Sequence, residues 1–437
     1  MPASRPLGRS RRARLTSVVT VVVGVLLLPV PFASASPRPA PKANPLLQGD
    51  EGGGPPAPWE QTGRSAAQAA SCSTWKDVPA THWANSTHGC AINVVGKTND
   101  WMRDHGSATF KPGAVETRKL FARAMVRMFA PDEPINRAIT FSDLPPDDPF
   151  YPYANVAVKK RWMTKSKGKF FPEGGVKTVV VHRAIVWALG LADEAAGFQA
   201  MRFSDGTRID MPKSAGALNL GMLLLLRFNH GSYGGTEAQD VQPGSRLIRS
   251  EVAWSLYRAH EIRTSESWRV ASLARYGSID IGPYSQTKEQ IVEWGLRYVG
   301  YPYVYGGEWA AESPGGYCCG YQPVGGFDCT GLVWWATKKG TTSWDNSPPR
   351  PYAGWDLAQR SSADMAAAAP KKLTWAGKKP GDLLFYGYGS VSHANVFVGM
   401  GWALDSSTSI AGVTFLWIGQ GSWYRDTFKW GRRILTA

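Results

Sequence analysis

Between Cys72 and about residue 260 the sequence repeats itself at intervals of about sixty residues, and this period constrains the fold more than any other feature. Three weakly similar units open with an aromatic residue and an aspartate two positions on: Trp75-Lys76-Asp77, Phe141-Ser142-Asp143 and Phe203-Ser204-Asp205. Each later passes a proline with glycine nearby (Pro112, Pro172, Pro243) into a helical pattern. Such a period predicts repeated, mostly helical supersecondary units over 72–262. In the first and third units an arginine stands at a helix entry, in Thr117-Arg118 and in Ile248-Arg249-Ser250-Glu251. A guanidinium there has two uses: forking to a carboxylate or phosphate of a polymer, or making an ordinary salt bridge. The second unit departs from the pattern, because Thr178 is followed by Val179.

Ahead of the units, five arginines fall within the first fourteen residues, followed by an apolar run from Val18 to Leu28, two prolines and Ala33-Ser34-Ala35. This is the layout of a secretory leader over 1–35, and the run is too short to span a bilayer. Sec export is the default expectation, Ser10-Arg11-Arg12 being only a faint twin-arginine signal. Residues 36–71 are rich in proline and glycine and read as a tether. The stretch Ala217–Leu226 is also too short to span and predicts a buried helix. The net charge of +15 favours polyanionic surroundings. The charge alone does not choose among nucleic acid, acidic lipid and anionic wall polymer, but no nucleic-acid-binding motif accompanies it, so nucleic acid is not expected.

The five cysteines are an odd set, which in an oxidising exterior leaves one thiol to explain. Cys72 and Cys90 enclose a short loop that closes easily; Cys318-Cys319 is compatible with a vicinal bridge or with two longer bonds. No Cys-x-x-Cys or Cys-His spacing of a zinc site occurs, so neither metal nor cofactor is expected.

Residues 263–284 show little periodicity and read as a linker. Beyond them Thr287-Lys288-Glu289-Gln290 predicts a capped helix ending at Gly300. Strands follow at 382–386, 394–398, 402–404 and 412–416, giving an α+β domain. Within it, Phe327-Asp328-Cys329-Thr330-Gly331-Leu332-Val333 places a cysteine where a polar turn enters an apolar helix, a position that favours thiolate. Six of the seven histidines lie at or before His260, so His393 is the one candidate base for that thiol. A hairpin turning at Gly399-Met400-Gly401 sets His393 opposite Asp405 if centred on Gly399, or opposite Ser407 if centred on Met400. Either register leaves Asp405 on the histidine's face, where a carboxylate orients an imidazole.

The ordered motifs Gly300-Tyr301-Pro302-Tyr303-Val304-Tyr305-Gly306-Gly307, Phe327–Val333, Pro380-Gly381-Asp382-Leu383-Leu384 and Ser392-His393 make residues 285–437 resemble the NlpC-type cell-wall peptidases, a papain-like cysteine peptidase family. The resemblance implies an α+β domain with a central antiparallel sheet. It also implies Cys329 as nucleophile, His393 as general base and Asp405 as orienting residue, where the family often has histidine. Tyr303, Asp328, Thr330 and Ser392 are implied as substrate contacts, with peptidoglycan stem peptides as substrate and the D-glutamyl–diamino acid amide as the expected bond. The same triad also suits muramoyl-L-alanine amidase or acyl-transfer chemistry, and a non-catalytic wall-binding role is the reading from a different class. Glu308 to Gly326 is longer than the family's usual connection and reads as a flap beside the cleft or as a surface insertion. The three N-terminal units resemble S-layer homology repeats, which hold exported proteins to secondary wall polymers. That resemblance implies Arg118 and Arg249 as polymer contacts and a secreted, wall-associated location.

Overall fold

The computed structural model describes residues 72–226 (except 73, 74, 80, 87, 88, 107 and 210), 243–277, 281, 292–303 (except 294), 307–309, 326–337, 361–368, 372–407 and 412–433. The expected leader, the tether, Cys318-Cys319 and most of the expected flap lie outside the described residues. Among the described residues no helix is long and apolar enough to cross a membrane.

The first unit begins at a Cys72–Cys90 disulfide with Cα atoms 5.3 Å apart. It contains the short helices Trp83–Ser86 (α1) and Ala91–Asn93 (α2), then Arg118–Phe129 (α3). Tyr151–Lys159 (α4) and Thr178–Ala188 (α5) follow, then Ala192–Gln199 (α6), Ala217–Leu223 (α7) and Arg249–Thr264 (α8). The repeated aspartate is a backbone clamp. Asp77 accepts the N–H groups of Phe110 and Lys111 at 2.8 and 2.6 Å, and Asp143 those of Phe170 and Phe171, both at 2.8 Å. Lys111 and Phe171 both have φ near 58°, a left-handed conformation that side chains disfavour, and the paired hydrogen bonds hold them in it. Asp205 departs from this arrangement and accepts Thr207 N–H at 2.8 Å within its own turn.

The three units close in a ring. Glu116 N–H donates to Leu247 O, Leu247 N–H to Val176 O and Val176 N–H to Glu116 O, at 3.0, 3.0 and 2.8 Å. Two residues along, the N–H groups of Arg118, Thr178 and Arg249 bond the carbonyls of Gly174, Ser245 and Ala114. The next residues, Lys119, Val179 and Ser250, bond the three repeated prolines Pro172, Pro243 and Pro112. This register corrects the sequence alignment by one residue: Thr178, not Val179, stands where the other two units carry arginine.

Those arginines staple neighbouring units. Arg118, half-buried, donates to Phe170 O at 2.8 Å and Thr164 O at 2.7 Å, with its guanidinium over the Phe170 ring. Arg249 is 1% exposed; it donates to Phe110 O, Met102 O, Asp104 and Glu116 within 3.1 Å and lies over the Phe110 ring. The expectation that Arg249 meets a wall polymer is therefore corrected, since its donors are spent inside the chain. Around it Asp104, which also accepts from Arg123, and the fully buried Glu116 complete a charge cluster. Burial raises the Glu116 carboxyl to about 7 despite the opposing pull of Arg249.

A residue proposed above as a linker member also turns out to be structured. α8 runs on to Thr264, Ser267–Leu273 (α9) follows, and a 3-10 turn at Ala274–Gly277 ends the segment with Leu273 and Tyr276 buried. Arginines of this stretch are engaged: Arg263 donates to Met128 O at 2.9 Å and Arg269 pairs with Glu266. The third unit then packs directly on what comes next. Asn219 Nδ2 donates to the carbonyls of Arg297 and Val299 at 3.1 and 2.7 Å. Gly300, with φ at 91°, passes so close that a Cβ would lie 2.6 Å from Asn219 O.

The C-terminal part is α+β. A six-stranded antiparallel sheet is built from Lys372–Leu373 (β3), Leu383–Tyr386 (β4), His393–Gly399 (β5), Trp402–Ser407 (β6), Gly412–Trp417 (β7) and Phe428–Arg432 (β8), in the order β3-β8-β4-β5-β6-β7. The small pair Glu308–Trp309 (β1) and Gly326–Phe327 (β2) precedes Cys329–Thr337 (α10), which packs on β5 and β6. Both faces of the sheet are covered at its centre, so β4 and β5 are buried along their whole length. Leu383, Phe385, Val396, Leu404 and Phe415 share a core with α10 and the N-terminal units. Leu384, Tyr386, Phe397 and Leu416 pack with Trp423 and Tyr424 of Trp423–Thr427 (α12), the short helix Ser362–Ala367 (α11) lying before β3.

Because the folded chain keeps Glu116 protonated where the unfolded chain, near 4.5, has released the proton, stability falls as pH rises from about 4.5 to about 7 and is level above that. The expected loss is up to about 3 kcal/mol. Glu116→Gln, which keeps an acceptor for Arg249, flattens this part of the profile in chemical denaturation. Arg249→Ala leaves the buried Glu116 side chain and the carbonyls of Phe110 and Met102 without their donor and lowers stability by about 3–5 kcal/mol.

Candidate active site

Cys329 opens α10, and the local sequence explains the helix start. The Asp328 carboxylate accepts Gly331 N–H at 2.6 Å and Thr330 Oγ1–H at 3.2 Å, capping the first turn. With Asp328 8% and Thr330 3% exposed, these two groups fix the start of the cysteine's helix. Cys329 itself is buried at 7% exposure at the helix start, where the ends of the backbone dipoles favour a thiolate. Ahead of it, Phe327 N–H bonds Pro302 O and Ser406 Oγ donates to Phe327 O, tying the turn to the sheet.

His393 is the first residue of β5 and Asp405 lies in β6; both are fully buried. The hairpin takes the Met400-centred register, with Val396 opposite Leu404 and Phe397 opposite Ala403, and a bulge before Gly399. Continued outward, it sets His393 opposite Ser407 and makes Asp405 its diagonal neighbour on the same face. The side chains meet: His393 Nε2 lies 2.9 Å from Asp405 Oδ2 and 2.8 Å from Oδ1. An ionised carboxylate only accepts, so the neutral imidazole carries its proton on Nε2 and offers its lone pair at Nδ1.

Two aromatic partners were not readable in the sequence. Tyr424 donates its hydroxyl to Asp405 Oδ2 at 2.8 Å, and its ring lies 5.8 Å from the imidazole. Tyr386, opposite His393 in β4, donates to Asn395 Oδ1 at 3.0 Å. Burial, and after it the charge of Asp405, holds the Tyr386 phenol well above its ordinary value, so it stays neutral. Trp423 stands edge-on to His393 at 6.2 Å. Sequence spacing gives no signal for these residues, because a buried tyrosine near the C-terminus reads as core.

Of the other expected contacts, Tyr303 is half-buried with its backbone beside Phe327, and Ser392 is exposed with its N–H bonded to Tyr386 O. The structure thus brings together His393 with Asp405, and Asp328 with Thr330. It places Cys329 at the head of the helix that packs on the strands of the first pair.

Residues 300–432 match the NlpC/P60 family. The C-terminal part of the chain is an NlpC/P60 domain. Curated relatives include the bifunctional muramidase/DL-endopeptidase CwlT of Bacillus subtilis, 28% identical over 148 residues, covering 33% of this chain and 36% of that protein. Another is the peptidoglycan endopeptidase RipB of Mycobacterium tuberculosis, 32% identical over 130 residues, covering 30% of this chain and 47% of that protein. The chain therefore spans less than half the length of these relatives. The solved structure of RipB from M. tuberculosis matches at 24% identity over 42% of this chain and 86% of that one, with a TM-score of 0.24. The match leaves the helical units ahead of the NlpC/P60 domain unassigned.

The shared carboxylate generates a prediction about the imidazole of the NlpC/P60 domain. Tyr424 and His393 compete for the charge of Asp405, so Tyr424→Phe leaves more of it to the imidazolium and raises the histidine's pKa. Nitrogen-15 NMR of labelled histidine should show the neutral ring protonated on Nε2 and its titration displaced upward in the variant.

Proposed function

We propose that this chain is a secreted, wall-associated peptidoglycan endopeptidase that uses Cys329 as nucleophile, His393 as acid and base, and Asp405 as the orienting carboxylate. The observation that carries the reading is the buried His393–Asp405 pair, borne on the two strands against which the Cys329 helix packs, within a domain matched to NlpC/P60 along 300–432. The thiolate of Cys329 attacks the carbonyl carbon of a stem-peptide amide. The imidazolium of His393 gives its proton to the departing amine, and the resulting thioester is hydrolysed by water that the neutral imidazole deprotonates. Asp405 keeps the ring in the tautomer this sequence requires and supports its charge. Tyr303 and Ser392 flank the reacting groups as contacts for the stem peptide. The bond we assign is the amide between D-glutamate's side-chain carboxyl and the diamino acid, on the resemblance of the motifs and the endopeptidase names of the relatives.

The helical units serve as the anchor. Their three-fold closure and the arginine at two of three helix entries support the likeness to S-layer homology repeats, and the leader-like N-terminus supports export. Of the two arginines, the half-buried Arg118, with carbonyls taking only part of its five-donor fork, is the one a wall polymer reaches.

Mass spectrometry of muropeptides treated with the chain from residue 36 tests the reading. New fragments cut within the stem peptide, absent with Cys329→Ala, are expected, and their masses name the bond. Asp405→Asn should lower kcat by at least about a hundredfold while leaving the products unchanged. Cleavage that persists in Cys329→Ala, or wall binding with no cleavage by the unmodified chain, overturns it.

A further inference from the structure

β7 is the edge of the six-stranded sheet, and an edge strand presents unpaired N–H and C=O groups unless something covers it. Here the cover comes from two earlier segments. Val413 N–H donates to Tyr301 O at 2.9 Å and Gly300 N–H donates to Val413 O at 2.7 Å. The next outward N–H, that of Phe415, donates to the hydroxyl of Tyr276 at 3.3 Å. Tyr276 belongs to the 3-10 turn at Ala274–Gly277 and is fully buried. Its ring is seated between Phe198 and Phe415, at 5.8 and 6.2 Å, with the Arg275 guanidinium over it.

Because Thr414 Oγ1 spends its one proton on Phe415 O, at 3.4 Å, it accepts from its other partner, the Tyr276 hydroxyl. The alternation of an antiparallel ladder then fixes what Thr414 does. Val413 and Phe415 send their N–H groups outward, so Thr414 between them faces β6, where its register partner is Asp405. The residue that Tyr276 grips is therefore hydrogen-bonded through its backbone to the residue whose carboxylate holds His393.

We propose that Tyr276, contributed by the segment between the helical units and the NlpC/P60 domain, is a positioning residue for the His393–Asp405 pair, acting through Thr414 and β7. The inference rests on the cysteine-peptidase reading for its effect on rate. Its structural content, that loss of the Tyr276 hydroxyl lets Asp405 recede from the imidazole, stands apart from that reading. A receding carboxylate supports the imidazolium less, so the histidine's pKa falls and the alkaline limb of the rate profile moves to lower pH.

The test uses the chain from residue 36 with Tyr276→Phe, which keeps the ring and removes the hydroxyl, beside Thr414→Val and Thr414→Ser. On a stem tetrapeptide, Tyr276→Phe should lower kcat about tenfold with KM nearly unchanged and shift the alkaline limb downward. Thr414→Val should do the same, Thr414→Ser should restore most of the rate, and the Tyr276→Phe/Thr414→Val double variant should be little worse than either single one. The NMR titration of His393 in Tyr276→Phe should fall in parallel. A rate lowered equally at every pH, or a His393 titration that does not move, overturns the proposal. If Tyr276→Phe does not fold, Thr414→Val carries the same comparison. If the unmodified chain cleaves nothing, the peptidase reading fails, and the His393 titration alone decides the positioning role.

Discussion

A carboxylate with no exposure to water is the constraint around which the C-terminal half is arranged. Taking Asp405 out of solvent costs several kcal/mol unless its oxygens are given hydrogen-bond donors of good geometry. Two are supplied, His393 Nε2 and the Tyr424 hydroxyl, and they come from different elements, β5 and α12. Each donor needs its own support. His393 is enclosed by Tyr386, Trp423 and Tyr424, and the strand under Asp405 is held in turn by β7. A hairpin alone would place the two residues near each other; the surrounding aromatic side chains hold the imidazole against the carboxylate.

The helical half meets a similar requirement by a different route. Each unit is too small to bury its own core, so the three close on one another through a ring of backbone hydrogen bonds, and arginines reach across two of the seams. Arg249 sits in the tighter seam and is consumed by it. The cluster of Arg249, Asp104, Glu116 and Arg123 carries a desolvation cost, and Arg249 is the member on which Glu116 depends for its ion pair. The third unit packs against the NlpC/P60 domain through Asn219, and the segment after it through Tyr276, so one continuous core joins anchor-like units and catalytic-like sheet.

Much of this was legible before any coordinates. The period of the aspartates reflects a real clamp, since Asp77 and Asp143 each hold the backbone ahead of a repeated proline. The strands of the sheet were legible because apolar runs between glycines and polar turns have few other uses. The alignment of the second unit slipped by one residue because threonine occurs beside the arginine position in the first unit and at that position in the second. Within 263–284, the helical structure through Gly277 is not visible in composition, because composition reports how solvated a residue type is on average. It cannot report that Glu266 neutralises Arg258 and Arg269, or that one tyrosine in the stretch is fully buried.

What the sequence by itself determined was the local chemistry: a cysteine at a helix entry, a single downstream histidine, and an acid that hairpin parity keeps on that histidine's face. These follow from covalent neighbours and strand alternation, which act over a few residues. Tertiary structure alone decided which register the hairpin takes and that Asp328 and Arg249 turn inward. It also decided that Tyr424 and Tyr276 brace the acid from residues far along the chain on either side. Those outcomes depend on which groups must share the limited hydrogen-bonding capacity of a closed interior, and that is settled only when distant segments are packed together.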